Sequence, residues 1–399
     1  LAGVALIERP PVPTVPDFIR STPPASLRSY FTFIQAEMPP DVVWEGAANV
    51  VVPPLLRAVD AMHDAERLRV MNDADRVGAM TDEAGQAALY SISNAADILD
   101  SLENGHARAL WMFLKDPAGF GHAEEVRYAD DRRYGRMWDG FECLPGLTVP
   151  RDGDPYTAFK AAIATHFDTK HVEVEICDRS RPSLDGEDAA LIQVAIYREG
   201  RAGDRRAFVD GKLDRLPFRP VVEAAITYEP ASGTIEVVAQ ARETREDLVR
   251  LFAEHMLGAP FDGDRIPIRQ YSLDHLLQPF DFPTDVEDNI GSVKVSLLRL
   301  MPYETQAERV TLECMRGAER SIWQMAEARF CDNDPLAGGF KVTQARFTIK
   351  FHATPGVRGG RTLPVTISMP KGCDLKDRTD RERLVGEKYL KRWRMLRDV

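Results

Sequence analysis

The stretch Val221–Gly258, VVEAAITYEPASGTIEVVAQARETREDLVRLFAEHMLG, changes its apolar pattern midway. Val221–Tyr228 and Ile235–Ala239 are rich in β-branched and apolar residues, and Glu-Pro-Ala-Ser-Gly between them is the composition of a turn. From about Glu243 to Leu257 the apolar residues fall three and four apart. Thr244 with Asp247 marks the start of a helix there, and Gly258 its stop. The stretch therefore predicts strand, strand, helix.

The same order recurs downstream. Ser292–Met301 and Arg309–Cys314 precede a helix from Glu319 to Phe330. Val342–His352 and Leu363–Met369 precede a helix from Asp380 to Leu396, with Thr379 and Glu382 set as a capping box. The three units lie at about 220–258, 290–331 and 341–397, and residue identity between them is too low to argue duplication. Shared order alone predicts an antiparallel sheet with helices on one face, an α+β arrangement. Strands are also expected at His171–Cys177, where Val172, Val174 and Ile176 alternate with Glu173 and Glu175, and at 190–198 and 206–209.

Upstream the period is helical. Leu27, Tyr30, Phe31 and Ile34 are helix-spaced, a second helix is expected from Pro53 to Met71, and a third from Asp82 to Leu102. Asn104-Gly105 supplies residues suited to a left-handed C-cap, and a short helix follows to Pro117. Residues 1–24 hold six prolines in 9–24 and read as an extended lead-in. Pro10, Pro13 and Pro16 form overlapping PxxP pairs. The expected organisation is this lead-in, a helical domain over 25–145, a turn-rich linker, and an α+β domain over 155–399.

Composition narrows the classes. With 44% hydrophobic and 28% charged residues the chain is neither collagen-like, low-complexity nor largely disordered. No apolar run is long enough to span a membrane, and Leu1–Ile7 is too short and lacks the cationic start of a signal sequence. Five scattered cysteines, odd in number and without CxxC, predict a reduced, cytoplasmic protein. Arg outnumbers Lys 40 to 11, as in proteins of GC-rich bacterial genomes, which weakens any argument from arginine alone.

The net charge of −11 is unevenly spread: residues 341–399 carry 15 Lys+Arg against 6 Asp+Glu, a net of +9, leaving −20 on the rest. Alternation in Lys341–His352 puts Ala345, Phe347, Ile349 and Phe351 on one face and Arg346, Thr348, Lys350 and His352 on the other. The strand leads into a loop with Gly356, Gly359 and Gly360 beside Arg358 and Arg361, suited to close approach of an anion. The last helix presents a stripe of Val385, Tyr389, Trp393 and Leu396, leaving Lys388, Lys391 and Arg392 for other faces. The residues expected to contact nucleic acid or another polyanion are thus Arg346, Lys350, His352, Arg358, Arg361, Lys388, Lys391 and Arg392. The same charges also fit a scaffold or regulator whose basic end docks on an acidic protein partner or on the chain's own acidic body.

Catalytic signals are weak. No Walker A, GxSxG, HExxH or zinc-finger spacing occurs, and no cofactor, catalytic residue or metal ligand set is read from the chain. His166, Asp168 and His171 are close in sequence, but a helix end and a strand start need not bring the two imidazoles together. Asp73 and Asp75 begin like an EF-hand loop that fails at Val77 and Ala84. Asp210-Gly-Lys212, with Asp188 or Asp204 upstream, fits half of a metal-dependent nuclease or hydrolase site, although Asp-Gly is first a turn.

Overall fold

The computed structural model describes residues 15–133, 135–182, 188–209, 211–266, 269–305, 307–315, 317–353, 361–369, 372–378 and 380–398. Eight helices come first: α1 (Val15–Ser21), α2 (Pro24–Phe33), α3 (Ala48–Asp60), α4 (Asp64–Ala79), α5 (Glu83–Ile92), α6 (Ala96–Ser101), α7 (Gly105–Lys115) and α8 (Pro117–Arg132). Then follow β1 (Trp138–Glu142), α9 (Gly153–His166), β2 (Val172–Arg181), β3 (Ala189–Glu199), β4 (Gly203–Val209), β5 (Lys212–Phe218), β6 (Val221–Glu229), β7 (Thr234–Ala239) and α10 (Arg242–Phe252). The remainder holds β8 (Arg269–Tyr271), β9 (Ile290–Pro302), β10 (Val310–Glu313), α11 (Ile322–Phe330), β11 (Phe340–Phe351), β12 (Thr362–Ser368), β13 (Gly372–Cys373), α12 (Asp380–Arg392) and β14 (Leu396–Asp398). The fold is α+β, with helices mostly N-terminal and antiparallel strands after them. Among the described residues no helix is long and apolar enough to cross a membrane, and the five cysteines are unpaired.

By internal contacts the chain forms two compact units. One takes the chain through Arg133 together with Cys143–Arg181 and Ala190–Phe261, and the other takes the rest. Unit one thus joins the N-terminal helices to a sheet in which β7, β6, β3 and β2 lie side by side in that order. Local chemistry sets the helix starts. Asp82, Asn104 and Asp116 each accept a backbone N–H three residues on, at 2.8, 3.0 and 2.9 Å, satisfying donors that the first turn leaves open. The helical core gathers Phe18, Tyr30, Phe31, Leu55, Val77 and Phe120, all buried.

The hairpin of β6 and β7 pairs Tyr228 with Ile235 across the expected turn. Gly233 is required there: its φ is +76°, and a Cβ would come within 2.2 Å of the Cys143 carbonyl oxygen. Gly258, at φ +61°, ends the helical run after α10 as its sequence position predicts.

Several local expectations are corrected. Val15–Ser21 is helical, not extended, because Pro16 sits in a first turn where no N–H is needed, and Phe18 and Ile19 are buried. The second expected helix is two, α3 and α4, divided around Met62-His63, and Pro53 and Pro54 lie inside α3. The third is also two, α5 and α6, divided near Asn94. Asn104-Gly105 starts a helix instead of closing one, since the Asn104 side chain caps α7. Thr244 is not an N-cap: α10 already begins at Arg242, and the Thr244 hydroxyl donates back to the Ala241 carbonyl. The last helix stops at Arg392, where Arg394 turns left-handed at φ +59°, so Leu396 lies on β14 opposite Tyr271 and not on the helix stripe. The capping box at Thr379, the loop 354–360 and Asp210 lie outside the described residues.

In unit two the second and third strand–strand–helix sequences share one sheet, ordered β10, β9, β11, β12, β13. One face is the core, where Leu298, Leu300, Ala345, Phe347 and Val365 meet Ile322 of α11 and Tyr389 of α12. Trp393 is fully buried, with its ring 5.0 Å from Phe282 and 6.2 Å from Phe347. Helices on one face leave the other face of this sheet to be defined by its polar residues.

Candidate functional site

The polar face of unit two follows from strand register. Directly opposed residues of an antiparallel pair point to the same side. Lys350 opposes Ser292 and Thr362; Thr348 opposes Lys294 and Pro364; Gln344 opposes Arg299 and Ser368. Between these rows Arg346 opposes Leu297 and Thr366, and Leu297 also opposes Glu313 of β10. The face is therefore rich in hydroxyls and cations, with the carboxylate of Glu313 at the β10 edge. Leu297, only 5% exposed yet outside the core cluster, is its one covered apolar residue in these rows.

The expected contact residues divide by partner. Arg346 reaches Glu313 at 3.4 Å with both side chains nearly half exposed, and Arg361 reaches Glu382 at 3.0 Å. Lys388 lies 3.0 Å from Asp285 and 2.6 Å from Asp288, and Arg392 pairs with Asp285. The hydrogen bonds from Arg392 and Lys388 hold the Asp285 carboxyl below its usual range, and those that Lys388 donates to Asp288 and Asp285 raise its ammonium. Lys350, His352 and Lys391 are exposed. The His352 ring lies over Gly291, where a Cβ would come within 3.0 Å of the imidazole. Arg358 lies outside the described residues.

Sequence reading missed two cations on this face, Lys294 and Arg299. Five residues apart, they belong on opposite faces under strict alternation. A register shift between Arg346 and Phe347 inserts one residue in β9 and brings both to the side of Arg346. Lys294, Arg299 and Lys350 have no ion pair among the described residues.

Unit one holds a second concentration of charge, along α8. At its end, Arg133 donates twice to Glu236 of β7, at 2.8 and 2.5 Å. Arg179 of β2 clasps Asp130 through two bonds at 3.2 and 2.5 Å, and Arg181 bridges Asp130 and Glu236 at 3.3 Å each. Gln193 accepts from Arg179 at 3.2 Å and from Thr227 at 2.9 Å. Burial alone pushes both carboxyls up; the guanidiniums outweigh it, leaving Asp130 far below the usual carboxylate range and Glu236 at about 2. This network fastens the helical part of the unit to its sheet.

Two turns earlier on α8, His122 and Glu125 share a face at i, i+3 spacing. Glu175 of β2 joins them, and one ligand atom from each residue lies within 4.8 Å of the others. His122 Nε2 is 3.8 Å from Glu175 Oε2. The Tyr197 hydroxyl donates to Glu125 Oε1, while Oε2 is sealed from solvent without a hydrogen-bond partner. Burial and the facing Glu175 carboxylate push Glu125 up to about 7 against the Tyr197 hydrogen bond. Burial, with Glu125 near, pushes the Cys177 thiol up to about 12, so no thiolate forms beside the cluster at neutral pH.

The other histidine and acid candidates separate. His166 lies 3.1 Å from Asp247, and His171 lies 4.0 Å from Glu199, so the two imidazoles have different partners. Asp73 is in the middle of α4 and accepts the Tyr30 hydroxyl at 2.9 Å. Lys212 is exposed at the start of β5, and Asp204 pairs with Arg215 at 2.9 Å. No known family model matches the chain, and no curated protein sequence matches it.

Proposed function

We propose that the chain binds nucleic acid or a similar polyanion through the polar face of the unit-two sheet. The observation that carries this reading is the convergence of Lys294, Arg299 and Lys350, cations without ion pairs among the described residues, on one face lined by Ser292, Thr348 and Thr362. Cations displace the counterions of a phosphate backbone, and hydroxyls donate to its oxygens. Arg346 and His352 extend the face. Lys388 and Arg392, satisfied by Asp285 and Asp288, are supporting residues in this reading and not contacts.

The test is an anisotropy titration of labelled single-stranded and duplex oligonucleotides, with heparin as competitor, across a salt series. Three phosphate contacts give a log–log slope of about −3 on duplex, and Lys350→Ala or Lys294→Ala lowers it by about 1. Absence of binding at about 50 mM salt, where phosphate contacts are least screened, overturns the reading.

A further inference from the structure

We propose that His122, Glu125 and Glu175 form a binding site for one divalent first-row transition-metal ion, such as Zn²⁺ or Mn²⁺, in unit one. This is independent of polyanion binding by unit two.

Along α8, Asp130 has Arg179 and Arg181 against it, and Glu236 has Arg133 and Arg181. Glu125, on the same helix, has no ion pair among the described residues and faces a second carboxylate instead. Its Oε2 is closed to solvent and accepts no hydrogen bond. A buried oxygen of this kind is costly unless a proton or a cation occupies the space before it.

Chemistry favours a metal cation. One imidazole nitrogen and two carboxylate oxygens suit Zn²⁺ or Mn²⁺ better than the all-oxygen shells of Ca²⁺ and Mg²⁺. Two donors about 2.1 Å from one ion in tetrahedral array lie about 3.4 Å apart. The His122–Glu175 separation of 3.8 Å is close to that span. His122 and Glu125 are placed by one rigid helix and Glu175 by the adjoining strand. The Tyr197 hydroxyl fixes Glu125 from behind, as hydrogen-bond donors do for metal-bound carboxylates. Glu175 is exposed and gives the ion a way in. Three protein donors leave a coordination position for water or a substrate oxygen.

The experiment uses the full chain, stripped with chelator, in equilibrium dialysis against ZnSO₄ and separately MnCl₂ at pH 7.5, with MgCl₂ as the non-specific control. One Zn²⁺ or Mn²⁺ per chain is expected. Glu125→Gln and His122→Asn each weaken binding about 100-fold or more, and Tyr197→Phe about 10-fold. Circular dichroism of each variant separates loss of a ligand from loss of fold, and the two ligand variants give independent readings. Absence of stoichiometric binding to the wild type, or binding unchanged in a folded Glu125→Gln or His122→Asn chain, overturns the proposal. In that outcome the two carboxyls share a proton instead.

Discussion

The ends of α8 and α12 use the same chemistry in opposite surroundings. At the end of α8, Asp130 and Arg133 join Arg179, Arg181 and Glu236 in a network whose Arg179 side chain is 1% exposed. Along α12, Lys388 and Arg392 meet Asp285 and Asp288 with side chains 20–40% exposed. Water screens the second set and barely reaches the first. A buried pair contributes little net stability over an apolar substitute, yet breaking it strands a charge; an exposed pair can be broken at small cost. The first set therefore commits the chain to one packing of helix against sheet. The second can be broken without stranding a buried charge.

Breaking the buried set should cost the most. Glu236→Ala leaves Arg133 and Arg181 without their shared carboxylate and lowers unfolding free energy by about 3–5 kcal/mol in urea titrations. A cost below about 1 kcal/mol shows that solvent reaches the network and that the contrast is wrong.

Acid sharpens the same contrast. Asp130 and Glu236 have folded pKa values below their unfolded ones, so their contribution is full above the usual carboxylate range near 4.5. It is lost as pH falls toward about 2. Thermal unfolding between pH 5 and pH 2 is expected to flatten in Glu236→Gln relative to wild type.

Glu125 behaves in the reverse sense. Its folded pKa of about 7 is above the unfolded value, so the favourable protonated form is present at low pH and lost as pH rises through 7. In metal-free protein Glu125→Gln should raise the melting temperature at pH 8 by roughly 3 °C, with a smaller change at pH 5. Equal shifts at both pH values contradict a buried, uncompensated carboxylate.

The smallest effect belongs to the exposed half. Arg346→Ala removes a pair with Glu313 in which both side chains are over 40% exposed, and stability should change by less than about 1 kcal/mol. A larger loss, measured by the same urea titration, places Arg346 among the structural charges.

The hairpin of β6 and β7 and the stop at Gly258 were legible because their signals are local: a turn composition and a glycine that must adopt positive φ. The breaks at Met62-His63 and Asn94 were not, since Val59 and Met62 keep helical spacing up to the first and Ile92 and Ala96 keep it across the second. The cationic alternation of β11 was readable. The partners of Lys388 and Arg392, about 100 residues upstream at Asp285 and Asp288, were not. Two of the three residues of the proposed metal site, His122 and Glu125, are a helical i, i+3 pair visible in principle; Glu175, fifty residues later, completes it.

The α+β class, the recurring strand–strand–helix order and the basic excess after residue 340 can be read from the residues alone, because they depend on composition and on periods of a few residues. Tertiary structure alone decided which charges are satisfied and which are left over. A register shift in β9 brings Lys294 and Arg299 to one face, and the packing of α8 on β2 gives Asp130 its arginines and Glu125 none among the described residues. Charge is a property of the residue, but its cost and its use depend on what lies within a few ångströms of it. That distance is set by parts of the chain far apart in sequence.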